Sequence, residues 1–326
     1  MRSKLLYILI PITCLLVSCS EPRVDGMIFH DIKNLYAEKI LVDEIFVPSW
    51  VTKSGNNFII SSSRSDKTIL IYDTPSLTFK HSTGTKGGGP DEIQTFPMFC
   101  HTVDDEYLYV RGFSHYSIRK TKIEPDGNFL FFDEYALDEE NNYNHMNIVK
   151  DSILIYYDSD RLSINKYDLK NGKNIKSIAL EKEDHNESYY YSNRGVTAAN
   201  ESFLMFSYIF KKQIDIYDVE KFELIKTIDN GKKHQEIKVY DKEITHHYLN
   251  TYAGKKYFYA MHAGHAFNGQ KIDDSGQSLE VYDYEGNPII KYTFDIIPFQ
   301  FVVDEDNGYI YAHNGNYEDY LLRYKL

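Results

Sequence analysis

Short runs of alternating apolar and polar residues recur along the whole chain. In Gln213–Asp229, for example, IDIYD and ELIKTID alternate on both sides of the turn Val219–Phe222. Alternation with a period of two predicts β-strands that bury one face, and the short polar turn between them predicts a hairpin. The pattern therefore predicts an all-β chain, and no convincing amphipathic helical stretch interrupts it.

One strand type recurs at nearly constant spacing. Its six copies, FIISS, YLYVR, ILIYY, FLMFS, YFYAM and YIYAH, begin at Phe58, Tyr107, Ile153, Phe203, Tyr257 and Tyr309. Each copy follows one upstream strand and precedes a second recurring strand, and the intervals between copies are 49, 46, 50, 54 and 52 residues. Four short antiparallel strands repeated six times predict a six-bladed β-propeller, because separate sandwiches would need about 100 residues per unit.

The sixth repeat ends after its third strand, at Leu326. The N-terminal segment Ile28–Asp43, which contains EKILVD, has the composition to supply the missing outer strand. We therefore predict that the last blade is completed by an N-terminal strand. Closure of this kind leaves no exposed inner edge and ties down both termini.

The first residues, MRSKLLYILIPITCLLVSCS, have the pattern of a secretory signal. Arg2 and Lys4 precede an apolar stretch that is too short to span a bilayer comfortably, and no second segment reaches transmembrane length. The sequence LVSC, ending at Cys19, resembles the lipobox of bacterial lipoproteins, in which cleavage precedes a cysteine that is then lipidated. The alternative is an ordinary signal with an incidental cysteine.

Processing before Cys19 sets the predicted domains and charge. The domains are a lipoprotein signal peptide at 1–18, a lipidated cysteine and tether at 19–27, and the propeller at 28–326. Loss of Arg2 and Lys4 leaves 34 basic and 48 acidic side chains, a formal charge of −14. An acidic exported chain is a poor candidate for nucleic-acid binding. Cys100 would be the only free thiol, so no intrachain disulfide is predicted.

A glycine-rich motif, GTKGGGPDEI, lies at Gly84–Ile93 between the first two blades. It resembles the Gly-x-Gly-Pro-Gly-Glu-Phe-type signature of Bacteroidales TolB-like six-bladed-propeller lipoproteins, and the chain most resembles the group called BF3164-family lipoproteins. Asp91 stands where that family often has Gly, and Ile93 where it often has Phe. The resemblance implies a lipid-anchored protein of the bacterial cell envelope, in a family whose biochemical activity is largely unassigned. Ser20 is compatible with the outer membrane, on either its periplasmic or its surface side.

The glycines of this motif have two interpretations. The backbone N–H groups of Gly87, Gly88 and Gly89 form a nest for an anion beside Lys86, or they let the chain turn tightly between two blades. The turn is the favoured interpretation. Nucleotide binding is not predicted, because there is no Walker pattern and no helix follows.

Strand order assigns the loops to two faces. If strands A to D of a blade alternate in direction, the B–C loops and the D-to-A connections share one face, which we call the long-loop face. It carries most of the loop length, including a predicted B–C insertion at Met261–Gly276. The A–B and C–D turns, such as SGNN, DDE and KNGK, share the short-turn face. Long loops on a rigid scaffold usually carry binding sites, so we predict binding at the long-loop face; tolerated drift of exposed loops is the alternative.

Alignment of the inner strands predicts a mostly polar ring at the mouth of the axial channel. Its members are Ser49, Met98, Asn144, Arg194, Tyr248 and Gln300, beside a second ring of Pro48, Pro97, Tyr143, Asn193, His247 and Phe299. The predicted binding residues are Asn144, Arg194, His247, Tyr248, Gln300, Tyr190, Gly87, Gly88 and Gly89. A slip of one residue in this alignment would turn every side chain to the opposite face.

Two classes of function fit these features. The first is a non-catalytic binding or scaffold module for an envelope protein, peptide or glycan, for which Tyr and Arg beside polar groups are suited. The alternative is an extracytoplasmic hydrolase or lyase with metal-bound water in the channel. The predicted ring supplies no carboxylate, which favours binding, and no catalytic residue or cofactor is predicted. His262 and His265 are candidate ligands for a divalent metal, with solvated loop histidines as the alternative.

Overall fold

The computed structural model describes residues 24–25, 27–44, 48–62, 66–89, 92–104, 106–113, 116–180, 193–229, 244–267 and 277–326. Every regular element of these residues is a β-strand. In chain order the strands are β1 (Val24–Asp25), β2 (Ile32–Leu35), β3 (Glu38–Leu41), β4 (Pro48–Ser54), β5 (Asn57–Ser62), β6 (Lys67–Asp73), β7 (Thr78–Thr85), β8 (Met98–Cys100), β9 (Leu108–Arg111), β10 (Ser117–Ile123), β11 (Phe129–Ala136), β12 (Asn144–Val149), β13 (Ile153–Asp158), β14 (Ser163–Asp168), β15 (Lys173–Ala179), β16 (Gly195–Ala199), β17 (Phe203–Tyr208), β18 (Gln213–Asp218), β19 (Glu223–Asp229), β20 (Ile244–Ala253), β21 (Phe258–Phe267), β22 (Ser278–Tyr282), β23 (Pro288–Phe294), β24 (Gln300–Asp304), β25 (Tyr309–His313) and β26 (Tyr320–Lys325).

These strands form the six blades of a propeller. Blades 1 to 5 are β4–β7, β8–β11, β12–β15, β16–β19 and β20–β23, and blade 6 is β24–β26 with β3. The innermost strand of each blade contacts those of both neighbouring blades, and β24 of blade 6 contacts β4 of blade 1. The ring is therefore closed, and the predicted six-bladed propeller is confirmed.

An N-terminal segment closes the ring and braces two further blades. β3 pairs antiparallel with β26, with Glu38 opposite Arg323, and so completes blade 6 as predicted. The structure adds two short parallel strands outside the prediction: β1 extends β19 of blade 4, and β2 extends β23 of blade 5. We call residues 24–41 the strap. β1 lies within the segment predicted as a tether, so regular structure begins before residue 28.

The hydrophobic core lies between the blades. Six clusters of buried residues occur, one at each blade interface; the cluster between blades 1 and 6, for example, contains Phe58, Tyr72, Tyr311 and Leu321. Inner strands are buried on both faces because each blade is covered by two neighbours, whereas outer strands such as β15 are mostly exposed. Burial of apolar area between blades is what holds the ring together.

Blade 5 departs from the predicted blade. Its two inner strands, β20 and β21, each have ten residues and form one long hairpin. The first part of the predicted loop Met261–Gly276 is therefore strand, because an equally extended β20 supplies a partner for its backbone groups. Gly264 lies at φ +68°, and a side chain there would meet the ring of His262, so a glycine is needed where the pairing register shifts.

Candidate functional site

The innermost strands surround a channel along the ring axis. The channel holds a cavity of about 230 Å³, and every blade contributes to its lining. The aromatic lining residues are Trp50, Phe99, Tyr252, Phe299 and Phe301; the polar ones are Thr52, His101, His145, Asn147, Thr197, Asn250, Thr251 and Gln300. Phe299 lies in the connection between blades 5 and 6 and is exposed. The cavity therefore reaches the long-loop face, and we call this opening the mouth.

The lining of the cavity is electrically neutral. Among the described lining residues there is no Asp, Glu, Lys or Arg. Burial lowers the pKa of His101 from 6.5 to about 4, and burial lowers the pKa of His145 to the same value with help from the nearby charge of Arg194. Both imidazoles are therefore uncharged at neutral pH. The channel offers aromatic faces and neutral hydrogen-bonding groups rather than charges.

His145 is placed by a bulge in the inner strand of blade 3. The register shifts between Asn144 and Asn147, and His145 adopts a φ of +47°. Its carbonyl accepts hydrogen bonds from Asn147 Nδ2 and from Thr197 Oγ1 of blade 4, both at 2.7 Å. These two bonds fix the backbone of the bulge. The ring nitrogens make no hydrogen bond to another described residue, so they are available to a ligand.

His101 begins a segment that crosses the axis of the ring. Its backbone pairs with Met146 and Ile148 of blade 3, while its Nε2 lies 2.8 Å from the carbonyl oxygen of Ala253 in blade 5. Because a carbonyl only accepts, Nε2 carries the proton and donates it. The ring also packs against Tyr252, with centroids 4.5 Å apart. His101 therefore links blades 2, 3 and 5 near the axis.

The residues after His101 close the channel at the short-turn face. Thr102 and Val103 line one small cavity with Lys53, Lys255 and Glu305, which belong to blade 1 and to the turns of blades 5 and 6. They also line a second cavity, of about 140 Å³, with residues of blades 3 and 4. A segment that reaches every other blade lies at the centre of the ring. We call His101–Asp104 the plug.

Two predicted mouth residues lie close to the predicted position. Gln300 lines the cavity, and its Nε2 donates to the carbonyl of Ser49, which ties blade 6 to blade 1. Asn144 begins β12, and its Nδ2 donates to Asn142 Oδ1 at 3.0 Å and Ser159 Oγ at 3.2 Å. Gln300 is thus part of the channel, whereas Asn144 stabilises the adjoining loops.

Arg194 and His247 lie beside the cavity rather than in its lining. Arg194 directly precedes β16, as predicted, and its Nε is buried next to His145. His247 donates its backbone N–H to the carbonyl of Ile209, and its ring stacks on His262 with centroids 5.7 Å apart. Arg194 thus affects the channel through its positive charge, which helps to lower the pKa of His145.

Tyr248 lies in the core, so its predicted position at the mouth is wrong. Its side chain is fully buried, and its hydroxyl donates to Glu280 Oε2 at 2.9 Å, which also accepts from Tyr282 at 2.8 Å. The cause is the register of β20, which shifts on both sides of Tyr248 and so breaks the alternation of the strand. Leu249 and Asn250 line the cavity instead.

The glycine run holds a carboxylate of the chain itself. Gly89 N–H donates to Glu92 Oε2 at 2.7 Å, and a side chain at Gly87 would meet the same oxygen at 2.0 Å. Glu92, which matches the glutamate of the signature, therefore occupies the space beside Gly87 and Gly89. Gly87 N–H also donates to the carbonyl of Ile93 at 3.1 Å, so the N–H groups of Gly87 and Gly89 are both used within the turn, which favours the turn interpretation.

One of the two predicted metal candidates, His262, is part of a packed ring cluster. His262 is buried, stacks on His247 and meets the ring of Tyr248 edge-on at 5.4 Å. His265 belongs to β21, and its side chain lies outside the described residues. Within the part of the chain that the structure describes, no three His, Cys, Asp or Glu side chains come together as a metal site.

Two further predicted residues, Cys19 and Tyr190, lie outside the described residues. His101, in contrast, is a channel residue that the sequence interpretation missed, because HTV was assigned to the inner strand of blade 2. A usable signal is present: His101 and Thr102 interrupt the apolar run that ends at Cys100, directly before an acidic turn.

Comparison with known proteins agrees with this geometry. Residues 29–306 match the family model described as TolB-like 6-blade propeller-like. A crystal structure of a Bacteroides fragilis NCTC 9343 protein described as exported superposes with a TM-score of 0.54 at 11% identity, covering 90% of this chain and 98% of that one. No curated protein matches the sequence.

No helix of the length and apolarity needed to cross a membrane occurs among the described residues. The fold and the match over most of the chain lead to one conclusion: the protein belongs to the TolB-like six-bladed propeller family.

Proposed function

We propose that the protein is a lipoprotein of the BF3164-family type, anchored through Cys19 in the cell envelope at the outer membrane. It acts there as a non-catalytic binding or scaffold module. Its site is the axial channel, entered from the mouth, and its partner inserts an uncharged segment of a peptide or glycan. The N-terminal lipobox-like sequence and the exported structural neighbour support the location.

The observation that carries the binding proposal is the neutral, one-ended cavity. Aromatic side chains such as Trp50 and Phe299 offer apolar faces, and His145 and Asn250 offer hydrogen-bonding groups. A charged group entering this lining would lose its hydration without meeting an opposite charge, which is costly. An uncharged segment meets no such penalty. The plug gives the cavity a fixed floor.

Arg194 adds a positive charge beside the mouth. It contacts the part of the partner that stays outside the cavity, where a carboxylate or other anion would gain a charge-assisted hydrogen bond. Loss of such a bond costs about 1.5–3 kcal/mol, or roughly ten- to a hundredfold in affinity. The channel and Arg194 then recognise different parts of one partner.

The test is calorimetric titration with uncharged oligosaccharides, with capped peptides and with the same compounds carrying one carboxylate. His145→Ala should weaken binding of both forms, whereas Arg194→Ala should weaken chiefly the carboxylate form. Lys170→Ala and Lys221→Ala, on the short-turn face, are the controls and should leave affinity unchanged. Equal loss of affinity in all four variants, without a change in melting temperature, would refute a site at the mouth.

A further inference from the structure

We propose that the outer rim of blades 4 and 5 lies against the membrane that holds the Cys19 lipid, so that the propeller stands on its rim with blade 1 pointing away. This inference rests on the proposed lipid anchor and extends it to an orientation. It follows from the length of the tether and from the side chains exposed on the rim.

The tether leaves little freedom. Only Ser20 to Arg23 separate Cys19 from Val24, which is paired with Ile228 of the outer strand of blade 4. Five Cα-to-Cα steps reach about 18 Å when fully extended. The outer edge of blade 4 is therefore held within that distance of the lipid attachment, and blade 1, opposite in the ring, is not.

The held edge exposes large apolar side chains. Ile225 on β19 is 49% exposed, and its neighbour Leu224 is also exposed. Ile28 and Ile32 of the strap, which follow β1 along blades 4 and 5, are 61% and 64% exposed. The outer strand of blade 1, β7, is described throughout and carries no large exposed apolar residue. The rim of blade 4 thus differs from the rim of blade 1, which lies opposite it in the ring.

Charged groups on the tethered side suit a headgroup layer. Lys33 is exposed on the strap, and Lys226 lies half-buried on β19. The acidic Glu223 of the same strand lies 3.5 Å from Lys176 of the neighbouring blade 3. Apolar side chains interspersed with lysines are the composition of surfaces that lie in a membrane interface. The tether and the side chains point to the same occupant.

Blade 2 supplies a matched control. Its outer strand also exposes apolar side chains, and Phe132 is 47% exposed, almost the same as Ile225. Blade 2 lies two blades from blade 4, so the tether does not hold its rim at the membrane. The two side chains are equally exposed but lie at different distances from the lipid anchor. A comparison of the two therefore distinguishes contact with the membrane from the mere presence of an exposed apolar side chain.

The experiment places one fluorophore on Ile225→Cys or on Phe132→Cys. Cys100 is buried, so the new thiol is labelled selectively. The full-length lipidated protein is reconstituted in vesicles of phosphatidylethanolamine and phosphatidylglycerol that contain nitroxide-labelled lipid. Nitroxide lipid should quench the label at position 225 several-fold more than the label at position 132. A control chain that begins at Ser20, and so lacks the lipid, Cys14 and the apolar N-terminal stretch, should show little quenching of either label.

The outcomes separate the anchor from the orientation. Metabolic labelling with an alkyne fatty acid reports lipidation: a chain that takes up no fatty acid at Cys19 overturns the anchor and this inference with it. A lipidated chain whose two labels are quenched equally, or more strongly at position 132, overturns the orientation alone.

Discussion

The two ends of the axial channel are built from different parts of the same repeat. At the mouth, the cavity is bordered by the beginnings of inner strands and by partly exposed aromatic side chains such as Phe299. At the short-turn face, the plug leaves blade 2 and reaches the other blades, with His101 bound to Ala253. A ring of near-identical units thus gains a direction: one end admits a ligand and the other forms a floor.

The most severe way to remove this difference is to open the ring. Deletion of Ile28–Asp43 removes β3 from blade 6 and exposes apolar core, because Leu35 is buried and Ile40 packs against the cluster between blades 1 and 6. We expect aggregation in place of a folded monomer. Size-exclusion chromatography and thermal melting provide the measurement.

The matched control is deletion of Ser20–Arg23, which ends before β1 and should leave the fold unchanged. A soluble, cooperatively melting protein without Ile28–Asp43 would contradict ring closure by the strap.

Acidification should lower the free energy of unfolding through buried histidines at both ends of the axial channel. Burial lowers the pKa values of His101 in the plug, of His145 near the mouth and of His313 on β25 from 6.5 to about 4. Between these values the unfolded chain binds more protons than the folded chain. The contribution of these histidines to the free energy of unfolding is therefore fully present above about pH 6.5. It falls towards pH 4, by about 1.4 kcal/mol per pH unit for each such proton.

Urea unfolding at several pH values measures this slope. His313→Phe should reduce it by about one proton, since the Nε2 of His313 is buried without a hydrogen-bond partner among the described residues. If none of the three histidine substitutions changes the slope, the conclusion that these imidazoles are uncharged in the folded protein is wrong.

The strength of the floor can be tested at His101. His101→Phe keeps a ring against Tyr252 but leaves the carbonyl of Ala253 without its donor, which should lower the free energy of unfolding by about 1–3 kcal/mol. Asp104→Asn, at an exposed position of the same segment, should change it by less than about 0.5 kcal/mol. Equal effects would show that the plug does not depend on this bond.

The repeat and its closure were predictable because they depend on apolar alternation. Each of the first five periods holds four runs with strand composition and the sixth holds three. EKILVD supplies the missing run, so six blades and the β3–β26 pairing follow from the sequence. The buried Tyr72 and Tyr311 are of this kind, because large side chains at repeated positions fill repeated interfaces.

The residues that line the channel were not predictable to the same degree, because β-bulges determine which side chains face the axis. The register shifts at the start of β4, in β12 and twice in β20, and each shift changes which side chains face the axis. For this reason Tyr248 is in the core while His145 is in the channel. The plug was missed because its position depends on a contact between blades 2 and 5, whereas the local pattern signals only that the apolar run ends before His101.

Trp50 offers the most direct test of the channel as the binding site. It is the only tryptophan of the chain and it lines the cavity. We expect saturable changes in its emission, and protection from quenching by acrylamide, when a bound member of the panel of uncharged oligosaccharides and capped peptides fills the cavity. His145→Ala should shift this titration to higher concentration, while Phe132→Ser on the rim of blade 2 should not. A compound that binds by calorimetry without changing Trp50 emission, and with equal affinity for His145→Ala, would contradict the account.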